Sequence, residues 1–83
     1  MIMNVTERDK VLSSITLYEC ITGIISMASD AVVLNSNKEV IAEHSRDENA
    51  KYEPDIMKYK DCIIMSIGIN EKYPNKLVIY VNE

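Results

Sequence analysis

Val11-Leu12-Ser13-Ser14-Ile15-Thr16-Leu17-Tyr18-Glu19-Cys20-Ile21-Thr22-Gly23-Ile24-Ile25-Ser26-Met27-Ala28 decides how this chain is read, because it carries a single charge, Glu19. Apolar side chains recur at Val11, Leu12, Ile15, Tyr18, Ile21, Ile25 and Ala28, a helical period, and Leu17, Cys20, Ile24 and Met27 widen the stripe. At about 100° per residue these positions cover well over half the circumference. Arg8, Glu19, Thr22 and Ser26 are left on a narrow polar strip. The spacing predicts one long N-terminal helix. It starts near Glu7, where Thr6 and Asp9 approximate a capping box, and ends at Ser29-Asp30. Gly23 inside that helix implies close packing against a neighbouring backbone.

Downstream, the period changes. Ala31–Leu34 and Val40–Ala42 are β-prone runs separated by Asn35-Ser36-Asn37-Lys38, a group of turn formers, and read as a hairpin. Residues 44–52 are polar and charged, and Glu53-Pro54-Asp55 opens a short helix through Met57 or Tyr59, Pro being tolerated at the first helical position. Cys62–Ile69 alternates Ile63, Met65, Ile67 and Ile69 on an inward face against Cys62, Ile64, Ser66 and Gly68. After a turn around Pro74-Asn75, Leu77, Ile79 and Val81 repeat the inward pattern while Val78 and Tyr80 point away. The expected fold is α+β: one long N-terminal helix on a four-stranded, mostly antiparallel sheet of two hairpins, a single two-layer domain spanning residues 1–83.

Composition narrows the function. With Lys and Arg dispersed among the acids and a formal charge of −4, the basic footprint of a phosphate-backbone binder is missing, and no direct nucleic-acid partner is expected. The acidic run Asp47, Glu48, Glu53 and Asp55 is diluted by Arg46, Lys51 and Lys58 and reads as a solvated loop, not a DNA mimic. The first residues lack a basic stretch leading into an apolar one, so no signal peptide and a cytoplasmic location are expected. Ser13, Ser14, Thr16, Thr22, Gly23 and Ser26 dilute the apolar stretch below what a membrane span needs. Cys20 and Cys62 lack any Cys-x-x-Cys spacing and read as core hydrophobes of a reducing compartment.

Chemistry is sparsely represented. His44 is the sole histidine and reads as a strand-end surface residue, with no local spacing that sets a nucleophile and an orienting acid around it. Cys20, Cys62, His44 and Asp61 supply four zinc ligands by count but not by spacing. Gly23 and Gly68 stand alone, so no phosphate loop is present. No catalytic residue, metal or cofactor is assigned, and an enzyme is not expected.

What remains is an apolar surplus. A chain of this size removes only about 60% of its unfolded surface from water, and a 47% hydrophobic composition exceeds what one thin core hides. A contiguous exposed remainder marks an interaction site. The leading expectation is therefore a small acidic protein-interaction module, a regulator or inhibitor of a protein partner, or a homodimer. Its size and Ile/Lys/Asn-rich composition fit a phage or mobile-element product. The interaction residues expected are Ile64, Val78 and Tyr80 on the outer sheet face, then Leu17 and Ile24 on the helix. The order helix, hairpin, helical link, hairpin resembles in layout alone the cores of PAS-like and roadblock-like domains. That resemblance implies a small-molecule sensor as the second expectation, with Ser66, Cys20 and Thr22 as pocket polar groups.

Overall fold

The computed structural model describes residues 15–25 and 29–83. Thr16 overturns the long helix. Its backbone is extended (φ −85°, ψ 163°), and it caps a helix that begins at Leu17: its Oγ1 accepts from the Glu19 N–H at 3.2 Å, and Glu19 Oε1 accepts from the Thr16 N–H at 3.1 Å. The chain around this cap is held against a second segment. Ile64 N–H donates to Ile15 C=O (2.9 Å), Leu17 N–H donates to Cys62 C=O (2.8 Å), and Thr16 bridges Ile63 in antiparallel fashion. Extended backbone at Thr16 cannot propagate a helix, so the helix expected from Glu7 is corrected to α1 (Leu17–Glu19) running into a π-helical segment, Cys20–Ile25. Thr22 Oγ1 donates to the Tyr18 carbonyl at 2.7 Å, a side-chain competitor for a main-chain acceptor where the backbone widens. The expected cap at Thr6 and Asp9, and the apolar positions Val11, Leu12, Met27 and Ala28, lie outside the described residues.

Leu17, Cys20, Ile21 and Ile25 are buried, and Glu19, Thr22, Gly23 and Ile24 face outward. Among the described residues the close approach expected at Gly23 is absent, since a Cβ built there meets nothing of theirs within 4 Å.

The remaining elements are β1 (Asp30–Leu34), β2 (Val40–His44), a 3-10 turn (Ala50–Tyr52), α2 (Pro54–Lys58), β3 (Ile64–Gly68) and β4 (Lys76–Val81). The β1–β2 turn is organised by Asn35, whose Oδ1 accepts the N–H groups of Asn37 (2.9 Å) and Glu39 (3.0 Å), with Lys38 in the left-handed region at φ 63°. Pro54 sits in the first turn of α2.

Four strands form one sheet in the order β2-β1-β4-β3, with β1–β2 and β3–β4 antiparallel and the central pair β1–β4 parallel. The expected mostly antiparallel arrangement is thus corrected to a mixed sheet. Residues 45–63 carry the chain from β2 to the far edge, so that β4 returns beside β1 in the same direction. Both central strands are near-continuous apolar runs, as strands covered on two faces require. On one face, Ala31, Val33, Ala42, Ile64, Ile79 and Val81 join Leu17, Cys20, Ile21, Ile25 and Ile56 in the main core. On the other, Val32, Leu34 and Val78 form a smaller cluster with Tyr73 and Tyr80 packed against it.

Candidate functional site

Two features stand apart from ordinary packing. The first is His44, only 3% exposed at the end of β2, which corrects the surface position expected for it. Its Nδ1 is hydrogen-bonded to Glu53 Oε1, and the second carboxylate oxygen of Glu53 accepts the Ser45 N–H at 2.8 Å. Glu53 precedes Pro54 at the cap position of α2 but caps nothing with its side chain, which is committed to His44 and Ser45. One carboxylate therefore ties the β2 terminus, the following loop and the start of α2 together. His44 also borders a cleft of about 320 Å³, lined by Ile21, Thr22, Asp47, Glu48, Asn49 and Ala50.

A carboxylate on one ring nitrogen orients an imidazole, the arrangement used to position a base or a metal ligand. Among the described residues the rest of such a site is not assembled. Among the described residues, no three His, Cys, Asp or Glu side chains gather as a metal ligand set. The hydroxyl in the cleft wall, that of Thr22, already donates to Tyr18.

The second feature is β3. Ile64 pairs with Val81 and Ser66 with Tyr80, so Met65 is an inserted residue with no partner on β4. This bulge corrects the expected alternation. Ile64, expected to face away from the helix, lies in the main core opposite Val81, while Met65, Ile67 and Ile69, expected inside, are 67%, 39% and 88% exposed. The one-residue slip at Met65 turns Ile64 into the core, whereas Ile67, across from Ile79, keeps the core side and is exposed by its place at the sheet edge. β3 is also an edge strand. Among the described residues, its outer side is met only at its start, by Ile15–Leu17.

The five expected interaction residues are scattered. Leu17, Ile64 and Val78 are buried; Tyr80 is partly buried, its hydroxyl 3.4 Å from Asn70 Nδ2; Ile24 is exposed on the π-helical segment. Val78 and Tyr80 do share the face away from α1, with Val32 and Leu34. The exposed set that sequence reasoning missed is Met65, Ile67 and Ile69, whose available signal was the uncharged run 62–70. Of the expected pocket groups only Thr22 lines the cleft.

Cys20 is buried and Cys62 partly so, and both are free thiols. Burial pushes the Cys20 thiol up. Cys62 is raised by burial, then by its hydrogen bond to Glu83 and the negative charges of Glu83 and Asp61. Neither environment generates a nucleophilic thiolate. No helix among the described residues is long and apolar enough to cross a membrane. No protein-family model matches the chain, and no curated protein or solved structure is significantly similar to it.

Proposed function

We propose that this chain acts by binding: it is a protein-interaction module that engages either a protein it regulates or inhibits or a second copy of itself, and its contact is the outer edge of β3. One observation carries the reading. β3 is as apolar as the central strands, yet it lies at the edge of the sheet and leaves Met65, Ile67 and Ile69 in water. Edge strands of soluble proteins are ordinarily blunted by Lys, by Pro or by cover from another element, because free N–H and C=O groups recruit a further strand. No charged residue and no proline occurs from Cys62 to Asn70. An edge of that kind suits β-augmentation, in which main-chain hydrogen bonds supply affinity and alternate side chains supply specificity.

The test compares capture of partners from the source cell by the wild-type chain and by Ile67→Lys and Ile69→Lys, with Val40→Lys on the opposite edge strand as control. The reading expects partners retained by the wild type and by the control and lost by both β3 variants. Equal retention by all four chains contradicts it.

One observation favours a second reading, a small-molecule sensor. The cleft beside His44 falls at the low end of the range of ligand pockets, roughly 300–1,000 Å³. Asp47 and Glu48 in its wall suit a cationic ligand. A thermal-shift screen of polyamines and amino sugars against nucleotides tests it: a higher midpoint with the cations supports the sensor, and no shift with either set removes it.

A further inference from the structure

Resting on the strand-addition reading above, we infer that the occupant of the β3 edge is a second copy of this chain, paired antiparallel about a two-fold axis at Ile67. Two observations select this occupant. First, an antiparallel strand that pairs with itself sets each residue opposite a copy of one nearby, so any charge close to the axis meets its own sign. In an acidic chain with 22 charged residues, the run from Cys62 to Asn70 holds none. Like charges directly opposite are destabilising, and this edge is free of them.

Second, the side chains are self-complementary in one register. With Ile67 on the axis, Ile67 faces Ile67 of the second copy, Met65 faces its Ile69, and Ser66 faces its Gly68. The large exposed apolar residues meet one another on one face, and the two small residues meet on the other. Ile67 lies across from Ile79, so the apolar row continues the main-core side of the sheet, beyond the part that the 17–25 helix covers. A shift of one residue puts Ile67 against Gly68 or Ser66 and breaks the row. Pairing of this kind joins two four-stranded sheets into one of eight strands, an isologous contact that closes at a dimer.

The geometry fixes the test. In a Cys62→Ser background, Ile67→Cys places two thiols on directly opposed residues, within disulfide reach. Mild oxidation is expected to crosslink it in high yield, with Ile24→Cys in the same background as an uncrosslinked control. Light scattering over a series from low micromolar to submillimolar should show the wild-type mass rising from 9.5 kDa toward twice that value. Ile67→Lys should hold it at the monomer with an unchanged circular dichroism spectrum, and Ile69→Lys, at the more exposed site, serves if the first variant unfolds.

A wild-type monomer throughout the series overturns self-pairing and leaves strand addition to a different protein to stand or fall on the capture experiment. A monomer would also follow if residues 1–14 of the same chain occupy the edge, and deleting them would then produce the dimer, which overturns self-pairing in the intact chain. A dimer that neither crosslinks at 67 nor responds to the two lysine variants places the contact elsewhere and removes the β3 reading as well.

Discussion

Glu53 shows how much one side chain can organise. The sequence places it in a charged loop, where its neighbours Asp47, Glu48 and Asp55 are indeed exposed, yet it turns inward to His44 and to the Ser45 N–H. Nothing local announces this, because the pairing joins positions nine residues apart across a loop. Truncating Glu53 removes the acceptor of the Ser45 N–H and the group hydrogen-bonded to His44 Nδ1, at a cost of about 2 kcal/mol. Glu53→Ala should therefore lower the urea midpoint markedly, whereas Glu48→Ala, on the surface, should stay within about 0.5 kcal/mol of wild type. The cysteines give a second expectation at this scale. Cys62 should alkylate slowly at neutral pH and speed up as the pH passes above the ordinary thiol range, because its neutral form is favoured by burial and by Glu83. Glu83→Gln should shift that rate profile to lower pH, and an unchanged profile would assign the effect to burial alone.

Among the elements, the helix and β3 are where sequence and structure part. Thr16-Leu17-Tyr18-Glu19 is a full capping box by composition, but it sits inside an apolar stretch whose period runs through it. The weaker Thr6 and Asp9 pair at the polar flank is the more conspicuous one, and periodicity alone gives no reason to start at Thr16. The bulge at Met65 is likewise invisible to a strict period of two, because an inserted residue leaves the composition of the strand intact. The turn at Asn35–Lys38 and the start of α2 at Pro54 are legible, since those residue types act through their own backbone geometry. At Gly23 the open surroundings yield a direct expectation: Gly23→Ala should stabilise the chain by about 0.5–1 kcal/mol through helix propensity, measured as a rise in thermal midpoint. A fall would mean that the π-helical backbone there needs the glycine.

For the molecule as a whole, the strand order decides what is left exposed. Two hairpins can adjoin through any of their edges, and the sequence of each hairpin does not say which. β1 and β4, apolar on both faces, occupy the centre, and β2 carries Glu43 at one margin. β3 is the exception, an apolar strand at a margin, and the apolar surplus read from composition is concentrated there instead of on the helix or on the Val78 face. Alternation along a strand points to Ile64 and Val78 as outward residues, but exposure here is set by position across the sheet, which only the topology reveals. Hydrogen exchange along β3 tests this account most directly. In dilute protein, the outward-pointing amides within 65–69 should exchange far faster than those of β1 and β4, and concentrating the sample should slow them selectively. Amides in 65–69 that are already as protected in dilute protein as those of the central strands, with no response to concentration, would contradict the claim that this edge is open and made to be paired.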